Sequence, residues 1–110
     1  MEQGSPLAAL QVLWEEAVRR LGVHTVLLMA ERIQWDLQAV YREADDIRFG
    51  PDGWELSALL ARERGAEVAA RIEESFLTLY TNLMGEAAAH HLRQRVQERL
   101  AGGSPGTRGA

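Results

Sequence analysis

The sequence predicts an all-α domain: a bundle of three to four helices with one long C-terminal helix, completed by dimerisation. Three observations carry this. Apolar residues recur at spacings of three and four through most of the chain, the period of a helix face. Glycine and proline are gathered between those stretches rather than within strands. The chain has 110 residues, 46% hydrophobic and 25% charged, the mixture of a globular domain with a core of its own.

The first helix is expected over 6–21. Ser5-Pro6 supplies an N-cap hydroxyl followed by proline at the first helical position. Leu7, Leu10, Trp14, Val18 and Leu21 form one stripe, Arg19 and Arg20 suit the negative end of the dipole, and Gly22 follows as a terminator. The second helix is expected from near Thr25 to about Ala44. It carries a stripe of Val26, Met29, Ile33, Leu37, Val40 and Ala44 and a second apolar edge of Leu28, Trp35 and Ala39. So wide an arc asks for two packing partners.

The stretch 45–53 breaks the period, with Gly50-Pro51 and Asp52-Gly53 as turn signals. Ile47-Arg48-Phe49 and Trp54-Glu55-Leu56 alternate and suit a small hairpin. The preferred reading is a capping box, with Asp52 as N-cap and Glu55 three residues on. It opens a short third helix (Leu56, Leu59, Leu60) that ends at Gly65.

The fourth helix is expected over 66–100. Val68, Ile72, Phe76, Leu79 and Leu83 make one stripe, and Leu77, Met84, Ala88, Leu92 and Val96 another, rotated around the cylinder. Continuity through Gly85 is preferred, because Met84 and Glu86-Ala87-Ala88-Ala89 are strong helix formers and one interior glycine costs only about 1 kcal/mol. Such a rod would be roughly 50 Å long at 1.5 Å per residue, too long for the shorter helices to cover on both stripes. The expectation is a homodimer with its seam on Val68, Ile72, Phe76, Leu79, Leu83, Gly85, Ala88 and Leu92. Residues 1–5 and the Gly/Ser/Pro tail 101–110 are expected to be flexible, leaving 6–100 as one domain.

Several function classes are disfavoured. With no cysteine there is no disulfide framework, thiolate metal site or thiol nucleophile. A net charge of -4 speaks against non-specific nucleic-acid binding, despite Arg93, Arg95 and Arg99 late in the last helix. The longest apolar run, Val26 to Ala30, is far short of a membrane span of roughly 20 residues. The N-terminus lacks the uninterrupted apolar region of a signal peptide, so a cytoplasmic location is expected. Ser-His-Asp order, phosphate loops and Walker-type patterns are missing.

Two patterns carry a chemical alternative. Ala89-His90-His91-Leu92-Arg93-Gln94 resembles the phosphoacceptor box of histidine kinases and the corresponding box of histidine phosphotransfer domains. It departs from them at His91, Gln94 and Arg95. The resemblance implies phosphorylation of His90, whose imidazole is a nucleophile near neutral pH. Glu86 and His90, four apart, share a helix face and suit a metal, with His24, Glu31, Glu73 and Glu74 as further donors. A ligand pocket among Trp14, Trp35, Trp54, Phe49, Phe76 and Tyr80 competes with simple core filling. Trp35 and Trp54 are the two expected nearest to an interface or groove.

The sequence reading is therefore a non-catalytic dimerisation or protein-interaction module. It has no catalytic residues, metal or cofactor, and neither a nucleic-acid nor a membrane partner. The alternative is a histidine-centred signalling or metal-binding protein using Glu86, His90 and His91.

Overall fold

A computed structural model describes residues 6–41 and 46–101. Among them are four helices and a two-stranded hairpin: α1 (Pro6–Leu21), α2 (Val23–Gln38), β1 (Ile47–Gly50), β2 (Gly53–Leu56), α3 (Ala58–Met84) and α4 (Glu86–Ala101). The described residues are 82% helical. No described helix is long and apolar enough to cross a membrane. Of the flexible ends expected at 1–5 and 101–110, Ala101 is instead the last residue of α4 and the others lie outside the described residues, as does the Ala44 end expected for the second helix.

The first helix has the bounds its punctuation predicts. Leu10, Leu13, Trp14 and Ala17 are buried on one side of it. α2 starts directly after Gly22 and closes at Gln38, earlier than expected. The N–H groups of Val40 and Tyr41 both donate to the Leu37 carbonyl, at 2.9 and 2.8 Å. Tyr41 then turns inward, and its hydroxyl donates to Glu67 Oε2 at 3.1 Å while the Arg64 guanidinium sits 5.0 Å from its ring centre.

The capping box at Asp52 and Glu55 is corrected to a hairpin. β1 and β2 pair antiparallel, with Ile47 opposite Leu56, Arg48 opposite Glu55, Phe49 opposite Trp54 and Gly50 opposite Gly53. What decides is tertiary. Trp14 Nε1 donates to the Pro51 carbonyl at 3.1 Å, and Gln11 Nε2 donates to the Asp52 carbonyl at 2.8 Å, so α1 holds the turn. The Trp54 ring meets Trp14 and Phe49 edge to face, with centroids 6.2 and 5.5 Å apart. Gln34 Nε2 donates to the carbonyl of the fully buried Ile47. The helix cap moves to Ser57, whose Oγ accepts from the Leu60 N–H at 3.2 Å.

The expected boundary at Gly65 falls at a kink, where two helical stretches meet. α3 spans Ala58 to Met84, and Arg64, next to Gly65, leaves helical angles (φ -137, ψ 20) and kinks it into a short first stretch and a long second one. Its inner face presents Leu60, Val68, Ala69, Ile72, Phe76, Leu77 and Tyr80 to the core.

The continuous rod over 66–100 is the largest correction. The helix breaks at Gly85, which takes φ 95 and ψ 163. The hydrogen-bond ladder survives on each side: Gly85 N–H bonds the Thr81 carbonyl at 2.8 Å, and Ala89 N–H bonds the Gly85 carbonyl at 3.1 Å. α4 folds back over α1 and α3, where it buries Ala89, Leu92 and Val96. Burying a leucine and a valine gains about 1.5–3 kcal/mol each, which outweighs the modest gain from running a helix straight through one glycine. The molecule measures 45 × 33 × 21 Å, with no 50 Å rod in it.

Candidate functional site

The residues expected at a dimer seam fall into two groups. Val68, Ile72, Phe76 and Leu92 are buried within the single chain, and Leu79 and Ala88 pack against its core. Leu83, 58% exposed, and Gly85 lie outside it, at the α3–α4 break. With the rod broken and its stripes covered by α1, α2 and α4, the geometric argument for a seam along 66–100 falls away.

The histidine alternative gains no assembled site. Glu86, His90 and His91 all stand on the exposed side of α4. Among the described residues no three His, Asp or Glu side chains converge as a metal-binding group, so His24, Glu31, Glu73 and Glu74 do not join His90. The aromatic residues fill space rather than line it. The gap between Leu10, Leu13, Trp14, Trp54, Ile72 and Phe76 is too small to admit even a water. An open surface groove of about 530 Å³ lies between Leu7 and the distorted turn at 61–67.

Two arrangements stand out instead. The first is an ion cluster that joins the end of α4 to α1. Glu16 is only 1% exposed, yet it is charged. Its Oε1 accepts from Arg20 Nη1 at 2.7 Å and its Oε2 from Arg99 Nη1 at 3.2 Å, while Arg99 Nη2 reaches Glu15 Oε1 at 2.8 Å. Burial pushes the Glu16 carboxyl up, but the hydrogen bonds from Arg20 and Arg99 outweigh it and hold the group below its ordinary value. The Arg99 hydrogen bond likewise lowers Glu15. This cluster was hidden from the sequence. The i, i+4 spacing of Glu16 and Arg20 is visible there, but Arg99, 83 residues further on, reads only as a cation suited to a helix C-terminus.

The second is the outward face of α2. Val26, Met29, Ala30, Ile33 and Leu37 point into the core. On the opposite side Leu28 and Trp35, seven residues apart and so on one face, are 67% and 72% exposed. Trp35 is the residue expected at an interface; Trp54, the other, is half-buried under α1. Around the pair stand His24, Glu31, Arg32 and Ala39, all exposed, and Arg32 reaches Asp36 at 3.6 Å. These side chains are arranged for contact rather than chemistry: two large apolar groups, flanked by one acid and one base.

No protein-family model matches this chain, and no curated protein or solved structure matches it.

Proposed function

We propose that the chain is a non-catalytic interaction module that pairs with a second copy of itself through the outward face of α2. The observation that carries this reading is Trp35, a large apolar side chain 72% exposed on a helix whose other face is already buried. Tryptophan is enriched at the centres of interfaces because it removes much surface from water at little entropic cost.

The occupant follows from the order of residues on that face. In an antiparallel pair centred between Glu31 and Arg32, Leu28 of one copy meets Trp35 of the other, Glu31 meets Arg32, and His24 meets Ala39. A two-fold contact requires such self-complementarity, each residue finding its match in the same patch. Here the apolar pair lies on the seam and opposite charges flank it. A single helix pair buries less than the ~1,200 Å² of a standard interface, which makes this a weak, concentration-dependent dimer.

Sedimentation from micromolar to near-millimolar concentration tests the reading. The expected result is a monomer–dimer equilibrium that Trp35→Glu abolishes while the far-ultraviolet spectrum stays unchanged. A protein that remains monomeric throughout, or a dimer indifferent to Trp35→Glu and Leu28→Glu, overturns it.

A further inference from the structure

The α3–α4 break holds an unused possibility. Gly85 is the one residue between two helices, and a Cβ built on it meets nothing within 4 Å. Its backbone angle, φ 95, is what lets the chain turn so that α4 folds back. That angle favours glycine, whereas helical angles at the same position favour any residue but proline over glycine. The flanking sequence, Leu83-Met84 and Glu86-Ala87-Ala88-Ala89, is made of good helix formers. Leu83 and Met84 nevertheless lie 58% and 47% exposed at the bend, where the α3 stripe runs on past the point at which the chain turns away.

Helical rotation then shows what a straightened chain would need. At 3.6 residues per turn, a helix continued through position 85 carries Ala89, Leu92 and Val96 to the side roughly opposite the Ile72–Phe76–Tyr80 face of α3. Its own domain could not cover them. The surface they leave, on α1 and α3 with Glu15 and Glu16 at its edge, would stand vacant. The surface that fits both needs is the same one on another molecule: an α4 from a second copy brings the three apolar residues and Arg99 in the spacing that the groove already accepts. A one-residue connection that cannot slacken is the kind of hinge that favours such exchange.

We propose that the α1–α3 groove filled by α4 also accepts the α4 of a second copy, in an exchanged dimer where Gly85 is helical and α3 and α4 form one rod. Every contact of α4 with α1 and α3 is then kept, but made between copies, and Leu83 and Met84 lie on the rod where the two molecules meet. This assembly is independent of the α2 contact, so it is tested in a Trp35→Glu background.

In that background, Gly85→Ala penalises the bent state and favours the straight one. The expected result is a dimer whose dissociation constant is lower by at least about tenfold than with glycine. Spin labels at Ala70 and Gln97, both exposed, would lie about 40 Å apart along a continuous helix and closer when α4 is folded back. Doubly labelled chains are diluted in an excess of unlabelled ones so that only the within-chain distance is read; a monomer, or a dimer whose within-chain 70–97 separation matches the bent form, overturns the proposal. A second arm keeps Gly85. A Glu15→Arg chain mixed with an Arg99→Glu chain should form heterodimers in preference to either homodimer, because each restores across copies the contact it lacks within itself. Random pairing or no pairing in that mixture counts equally against exchange.

Discussion

Arg99 Nη1 lies 3.2 Å from Oε2 of Glu16, a carboxylate almost wholly removed from water. The contact fastens the last turn of α4 to the middle of α1. Removing one partner of such a pair strands the other, and a buried charge without its hydrogen bonds is costly. Arg20 still holds Glu16 at 2.7 Å, so the loss is partial. Arg99→Ala should destabilise the fold by about 1–3 kcal/mol, whereas Arg19→Ala, exposed on the same helix as Glu16, should stay within about 0.5 kcal/mol. Urea titration of both variants checks the contrast.

The same cluster sets an acid limit. Glu15 and Glu16 are both held below the ordinary carboxylate value of 4.5 in the fold, facing Arg99, Arg20 and Arg19. The unfolded chain therefore binds more protons than the folded one as pH falls below that value. Their contribution to stability is whole above it and is lost as pH falls through the lowered values in the fold. Thermal unfolding followed from pH 7 down to pH 3 should show a fall in midpoint that begins near the ordinary carboxylate range. In Glu15→Gln, where Arg99 loses one of its two acids, that fall should be shallower.

Two glycines of the hairpin make an internal control. Gly53 has φ 136, and a Cβ there would come within 2.5 Å of Gln11 Oε1, whose amide holds the turn through Asp52. Gly50 has open space around it and no such angle. Gly53→Ala should cost about 1–3 kcal/mol through backbone strain and a displaced Gln11, and Gly50→Ala less than about 0.5 kcal/mol. Denaturation midpoints of the two single variants decide it.

Leu92 and Leu83 separate a core role from a surface one within the residues first expected on a seam. Leu92 is fully buried where α4 meets the bundle, and Leu83 is mostly exposed. Leu92→Ala should lose about 2–5 kcal/mol, the cost of lost burial plus a cavity. Leu83→Ala should change stability by less than about 0.5 kcal/mol. Equal effects would mean that α4 does not close the core as described.

What the sequence by itself determined was local. Pro6 and Gly22 mark the ends of α1 because breakers act within one turn of chain. Val68, Ile72 and Phe76 line one face because the helical period puts them there. The apolar edge of Leu28 and Trp35 was legible as an edge for the same reason, although its exposure depends on which neighbours reach it. The tertiary structure decided the rest, in each case where two local readings lay within about 1 kcal/mol of each other. Asp52-Gly53-Trp54-Glu55 satisfies both a cap and a hairpin, and the tie is broken by Gln11 and Trp14, 41 and 37 residues away. Gly85 can bend or continue a helix, and the burial of Ala89, Leu92 and Val96 on α1 and α3 bends it. Whether acids or other histidines converge on His90 as metal donors depends on which helices pack together, and among the described residues none do. Contacts between residues far apart in the chain carry more free energy than any single local preference, and the order of residues along the chain does not reveal them.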